Sequence, residues 1–275
     1  MVTKAVILAR GLGTRMRRAS DEAGLSDSQA RIAASGMKAL MPVEAGDSTA
    51  RPFLDYVLSA LADAGVQDVC LVIGPEHTAI REYYGQLSRA RLRVAFAEQA
   101  QPRGTADALL AAESFAGSDA FLVLNSDNYY PIATYRTLCE YGGAALPGFD
   151  RHALITESNI DAARIRSFAL LSVSADGWLQ DIVEKPDDET FERMGPHALV
   201  SMNLWALTTP LFDACRQVQP SARGELELPN AVRLAVREMG MKIRVFPVTA
   251  GVLDLSSRGD VGPVADALRH ITVRL

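Results

Sequence analysis

The chain has 275 residues, 48% of them hydrophobic, with 20 glycines and 13 prolines, and so has the composition of a folded globular protein. Collagen-like, linker-like and disordered chains are excluded. A formal net charge of −5 also excludes the global basic field that gathers nucleic acid or anionic lipid, so any anion site has to be local. One large α/β unit with an appended subregion is expected, because single cores stop growing near about 250 to 300 residues.

In chain order, the first strand is predicted over residues 6–8. Lys4, Arg10, Arg15, Arg17 and Arg18 form a basic island with no acidic residue before position 19, which by composition alone fits a solvated face. Residues 20–36 are rich in Ser, Asp, Ala and Gly and read as a mobile insert. Phe53, Tyr56, Val57, Ala60, Leu61 and Ala64 recur at spacings of three and four, predicting an amphipathic helix with Gly65 at its C′ position. A strand over 69–73, a short helix over 76–84 and a strand over 92–96 follow. Thr105 is expected to cap a helix running to Phe115, and 120–124 is a buried strand ending at Asn125, Ser126 and Asp127.

Beyond Pro131 the alternation loosens. Runs at 169–173 and 179–183 flank Asp176-Gly177, a hairpin signal, so the parallel sheet is expected to become mixed. A strand over 199–207, a helix over 229–239 opening with Pro229 and closed by Gly240, and strands over 243–248 and 252–255 complete the pattern. Cys70, Cys139 and Cys215 are odd in number and widely separated, which reads as three structural thiols in a reducing cytosol. No apolar run approaches the roughly 18 to 20 residues that span a bilayer.

The first strand runs directly into Leu8-Ala9-Arg10-Gly11-Leu12-Gly13-Thr14-Arg15-Met16. A dinucleotide fingerprint needs a third glycine where Met16 stands, no acidic residue closes the second strand, and no G-x-x-x-x-G-K-[ST] loop occurs. Two glycines still let backbone N–H groups approach an anion, and Thr14 and Arg15 add a hydroxyl and a guanidinium fork suited to phosphate. Read alone, the stretch fits a tight strand-to-helix turn with a surface arginine equally well.

This loop, together with Lys38-Ala39-Leu40-Met41-Pro42-Val43, resembles the sugar-1-phosphate nucleotidyltransferase family. Gln99 five residues before Gly104-Thr105, Asp127 after a buried strand, Glu184-Lys185-Pro186 and Asp254 follow in that family's order, so the resemblance runs from Val6 to about Val261. It implies a Rossmann-like three-layer α/β sandwich around a mixed, mostly parallel sheet. Residues 1–130 would be the nucleotide-binding half of a single domain and 131–275 the sugar-phosphate half. Two features depart from the family: Arg10 stands where Gly or Ala is usual, and the stretch from Arg15 to Lys38 is long.

The resemblance implies roles residue by residue. Leu8, Ala9, Arg10, Gly11, Gly13, Thr14, Gln99, Gly104 and Thr105 would bind the nucleotide. Arg15 would hold the β and γ phosphates, and Lys38 the transferred phosphoryl group and departing pyrophosphate. Asp127 and Asp254 would hold Mg²⁺, which prefers one or two carboxylates plus substrate oxygens. Lys185 would grip the sugar phosphate, with Glu184 and Asn203 on the sugar; an exposed Glu-Lys pair worth about 0 to 1 kcal/mol is the plain alternative for the former two. A side-chain amide both donates and accepts, and the family's Gln at this offset points to UTP or dTTP.

The implied activity is condensation of a nucleoside triphosphate with a sugar 1-phosphate. The implied setting is cytosolic, without nucleic-acid or membrane partners, and compatible with a homo-oligomer. A noncatalytic nucleotide-sugar sensor, an NAD-dependent oxidoreductase and a cytidylyltransferase for a non-sugar phosphate are the competing readings. The four histidines, His77, His152, His197 and His270, show no metal-ligand spacing.

Overall fold

The structure, a computed structural model, describes residues 1–18, 24–44, 49–86 and 91–275. Its centre is a ten-stranded sheet. Lys4–Leu8, Asp68–Ile73, Arg93–Glu98 and Phe121–Asn125 run parallel, with Lys4 in register with both Asp68 and Phe121. Strands covered on both faces read as continuous apolar runs, and these do. Ala5 and Ile7 enter one core while Val6 and Leu8 enter the other, so helices pack on both faces. The parallel register also brings the C-terminal ends of all four strands to one edge, where open α/β sheets bind ligands.

The second half makes the sheet mixed. Leu204–Leu207 pairs antiparallel with Phe121–Asn125, and the hairpin Ala169–Val173/Leu179–Val183 forms as expected, turning at Gly177 with φ 79°. Arg244–Val248 pairs parallel with Ala145–Phe149. The helix Phe53–Asp63 buries an unbroken run from Phe53 to Leu61, and Leu228–Arg237 starts with Pro229 in its first turn. Cys70, Cys139 and Cys215 are free and buried, and no helix among the described residues is long and apolar enough to cross a membrane.

Three local expectations change, and the stretch read as an insert gains a helix. The strand expected over 199–207 is two strands, Leu199–Ser201 and Leu204–Leu207, because Asn203 adopts φ 59°, a left-handed conformation that interrupts an extended chain and that Asn tolerates. Thr105 is not a cap. It is the first residue of the helix Thr105–Ala111, Gly104 precedes it, and its Oγ1 accepts from the Leu228 N–H at 2.8 Å. That helix breaks at Ala112 before a separate turn, Glu113–Ala116. Within 20–36, residues Asp27–Ser35 form a helix closed at one end by a Ser26/Gln29 capping box and at the other by Gly36 at φ 76°; residues 20–23 lie outside the described ones.

Candidate active site

A cavity of about 220 Å³ opens at the C-terminal edge of the parallel strands. It gathers Leu8, Ala9, Arg10, Gly11, Gly13, Lys38, Gln99, Gly104, Thr105 and Asp127, drawn from four segments, and adds Asn125, Ser126 and Glu225, to which no binding role had been assigned. Thr14, Arg15, Glu184, Lys185, Asn203 and Asp254 do not line it.

The glycine loop is shaped by contact as well as by conformation. Gly13 has φ 59°, and a Cβ there would fall 2.5 Å from the Gly36 carbonyl oxygen and 2.7 Å from its Cα, both backbone atoms that cannot swing aside. Gly13→Ala is therefore expected to destabilise the protein by about 1–3 kcal/mol, lowering Tm by several degrees in a thermal melt. An unchanged Tm would reject this contact. Thr14 and Arg15 begin the short helix Thr14–Arg17 and are exposed, and Arg15 has no ion-pair partner among the described residues.

Arg10, the departure in the loop, is buried. Its Nη2 donates to both Glu76 carboxylate oxygens at 3.3 Å, while Nε and Nη1 have no hydrogen-bond partner among the described residues. The guanidinium lies against Gly74, where a Cβ would come within 2.4 Å of Nε. Glu76 therefore directs this additional cation toward the turn after Asp68–Ile73. The backbone N–H of Glu76 and then Arg10 hold its carboxyl below the usual range. Burial lowers the His77 pKa, and its Nδ1 accepts from the Gly74 N–H at 3.2 Å.

Lys38 and Asp127 are in direct contact in the cavity lining, Nζ donating to Oδ2 at 2.8 Å. Asp254 is brought beside Asp127 through the backbone. Leu253–Asp254 pairs antiparallel with Asn128–Tyr129, placing Asp254 opposite Asn128, and the Leu255 N–H donates to the Asp127 carbonyl at 2.8 Å. Both Asp254 oxygens accept hydrogen bonds, Oδ1 from the Ser256 hydroxyl at 2.5 Å and Oδ2 from Arg164 Nη2 at 2.8 Å. Arg164 also binds Asp260 at 3.0 Å, so one guanidinium serves two buried carboxylates.

Burial first, and the charge of Asp127 second, push Asp254 up to about 6 against the opposing pull of Ser256, Arg164 and Lys38. The folded protein thus holds this proton more tightly than the unfolded chain. Without a divalent cation, the contribution of Asp254 to stability is fully present below its unfolded pKa and is lost as pH rises through about 6. Metal-free wild-type protein should accordingly lose stability relative to Asp254→Asn between about pH 4 and 7. Parallel Tm curves for the two proteins would show that Asp254 is not the titrating group.

Glu184, Lys185 and Asn203, expected on the sugar side, lie beyond the cavity. Lys185 at φ 45° and Asn203 at φ 59° are the only non-glycine residues with positive φ among those described, a backbone cost that concentrates at functional sites. Leu204 is in register with Leu124, so Asn203 emerges at the same sheet edge as Asn125. Glu184 follows Leu179–Val183, and its carboxyl is raised by burial and then by Glu227. Glu227 in turn accepts from Ser221 Oγ and Arg223 Nε, each at 3.1 Å, and from Arg223 Nη2. Glu184 thus feels the charges of Glu227 and Arg223, which belong to the turn that brings Glu225 to the cavity.

Sequence reasoning passed over Glu76, Asp107, Asn159, Arg164 and Asp260. Each meets its partner across a long stretch of chain or stands inside an ordinary helix, so no local motif marks it.

A model of the nucleotidyl transferase family matches residues 4–255, nearly the whole of this architecture. The chain belongs to that family. Among curated relatives, it is 29% identical over 241 residues to a glucose-1-phosphate thymidylyltransferase of Streptomyces griseus, covering 88% of this chain and 59% of that protein. It is 25% identical to the UTP–glucose-1-phosphate uridylyltransferase AglF of Haloferax volcanii, with 98% of both chains covered. The chain spans about three-fifths of the length of the streptomycete relative. Among solved structures, a UDP-glucose pyrophosphorylase complexed with UDP-glucose superposes with a TM-score of 0.74 at 17% identity, over 97% of this chain and 98% of that one. A UTP-bound UGPase from Acinetobacter baumannii also gives 0.74, at 19% identity, over 99% and 96%. Both share this family member's fold: a mixed sheet with helices on both sides.

Proposed function

We propose that this chain transfers a nucleotidyl group from UTP or dTTP to a sugar 1-phosphate, releasing pyrophosphate. The observation that carries the reading is the cavity itself, where Lys38 meets Asp127 at 2.8 Å beside the glycine loop, with Asp254 outside the lining but paired to the strand next to Asp127. The relatives named for thymidylyl and uridylyl transfer to glucose 1-phosphate support the same chemistry.

The donors suit magnesium. No group of three or more His, Cys, Asp or Glu side chains gathers to hold a metal among the described residues. Two carboxylates are the set that Mg²⁺ takes when phosphate oxygens and water complete its octahedron. Burial and then the Asp127 charge raise the Asp254 pKa although Ser256 and Arg164 engage both its oxygens, so a cation there would have to displace or share those partners. When bound, the ion neutralises charge on the phosphates.

The remaining steps belong to side chains. The sugar phosphate is already an anion, so its oxygen attacks the α-phosphorus without a general base. The new P–O bond forms as the bond to the bridging oxygen breaks, and that electron pair leaves with pyrophosphate. Lys38 holds charge on the transferred group and Arg15 the β and γ phosphates. Lys185 grips the incoming phosphate while Glu184 and Asn203 receive sugar hydroxyls. Positioning and electrostatics supply most of the acceleration in such reactions. We place the reaction in the cytosol, where the three free thiols stay reduced.

The test is to follow pyrophosphate with Mg²⁺, each of UTP, dTTP, CTP, GTP and ATP, and a panel of sugar 1-phosphates. Release that requires the sugar phosphate and is fastest with UTP or dTTP is expected. A noncatalytic sensor is favoured by one observation, the occupation of both Asp254 oxygens by Ser256 and Arg164. It predicts ligand binding with no release from any triphosphate.

A further inference from the structure

We propose that Asp107 is a positioning residue for base selection, holding the Gln99 side-chain amide in one orientation so that Gln99 meets the base only as an acceptor. The proposal rests on the nucleotide reading above and sharpens it.

Gln99 follows the strand Arg93–Glu98, is 4% exposed and lines the cavity. Its Nε2 donates to the Gly104 carbonyl at 3.0 Å and to Asp107 Oδ2 at 2.7 Å. A carbonyl and a carboxylate only accept, so a flipped amide would press Oε1 against two oxygens and lose both bonds. The hydrogen-bond network itself therefore settles which end of the amide is nitrogen.

The framework around the amide is equally constrained. The Gln99 backbone N–H donates to the Ile73 carbonyl at 2.9 Å. Gly104 has φ 118°, and a Cβ there would fall 2.5 Å from the Leu226 carbonyl oxygen. Leu226 is tied on both sides, its N–H to the Arg103 carbonyl and its carbonyl to the Ala106 N–H, each at 2.8 Å. The Gly104 carbonyl is thus a fixed acceptor, and Asp107, on the helix Thr105–Ala111, is the second. Asp107 does not line this cavity; it lines a neighbouring one that Gln99 also borders, and so it reaches a base in the first cavity only through Gln99.

What remains for a ligand is Gln99 Oε1, which has no hydrogen-bond partner among the described residues. A free glutamine adapts to either sign of partner; this one does not. Uracil and thymine carry N3–H between two carbonyls and present a donor at the ring nitrogen. Cytosine has nearly the same shape but carries a lone pair at N3, which would face Oε1 oxygen to nitrogen. A polar mismatch of this kind discriminates far more strongly than a small change in size.

The experiment measures equilibrium binding of UTP and CTP to the whole chain with no sugar phosphate present. Wild type is expected to prefer UTP by about tenfold or more, the range for one unsatisfied buried polar group. Asp107→Asn offers a donor as well as an acceptor, so Gln99 turns over freely and the preference falls to about threefold or less. Asp107→Glu restores an acceptor and keeps the wild-type ratio. Equal binding of UTP and CTP by wild type, which needs no variant, overturns the proposal, as does a folded D107N protein with its preference intact. Absence of binding by any triphosphate takes down the nucleotide reading and the Asp107 role together, whereas an intact preference in D107N takes down the Asp107 role alone.

Discussion

Asp127→Asn is expected to lower sugar-dependent pyrophosphate release by about a hundredfold or more, the scale for removing one precisely placed charged group from such a site. The protein should stay folded. The substitution preserves volume, and the Asn side-chain oxygen can still accept from Lys38, which leaves this largely buried pair hydrogen-bonded. A second consequence separates electrostatics from shape. The Asp127 charge is one of the two causes that raise Asp254, so its removal should lower the Asp254 pKa from about 6. Pyrophosphate kinetics paired with the pH dependence of Tm read both effects in one variant. Wild-type turnover in D127N would remove Asp127 from the site.

Lys185→Ala is expected to separate the two substrates. Lys185 is exposed and lies outside the cavity lined by most of the residues proposed to bind the nucleotide. Its loss should therefore raise KM for sugar 1-phosphate by about tenfold or more, the range for one charge-assisted hydrogen bond. KM for the triphosphate should move by about twofold or less, because uniform binding lost at one subsite shows in that substrate alone. Alanine carries a Cβ as lysine does, so the cost of the φ of 45° at this position is expected to be about the same in the two proteins. Equal rises in both KM values would contradict the division between nucleotide and sugar-phosphate residues.

The legible parts of the chain were those in which one local pattern decides the outcome. Buried parallel strands are short apolar runs, and the helix Phe53–Asp63 repeats its apolar residues on one face, so the first half could be read element by element. Asn203 broke a strand that looked continuous because apolarity records burial and not the sign of φ. Thr105 looked like a cap because caps are recognised by residue type, while its hydroxyl in fact receives an N–H from Leu228, more than a hundred residues away.

The site divides in the same way. The glycine loop, Lys38, Gln99 and Asp127 follow strand ends or stand inside compact motifs, and the parallel register carries them to one edge. The partners that set their chemistry come from elsewhere: Glu76 for Arg10, Asp107 for Gln99, and Arg164 for Asp254. A lone Arg or Asp in a helix carries no mark of the carboxylate or amide it will face, and only the folded chain supplies it.

The most direct measurement is anomalous scattering from crystals of this protein grown with UTP and Mn²⁺ in place of Mg²⁺. A single strong peak within coordinating distance of both Asp127 and Asp254, on the Lys38 side of the cavity, is the predicted result. A manganese peak touching neither aspartate, or side chains turned away from a bound triphosphate, would contradict it.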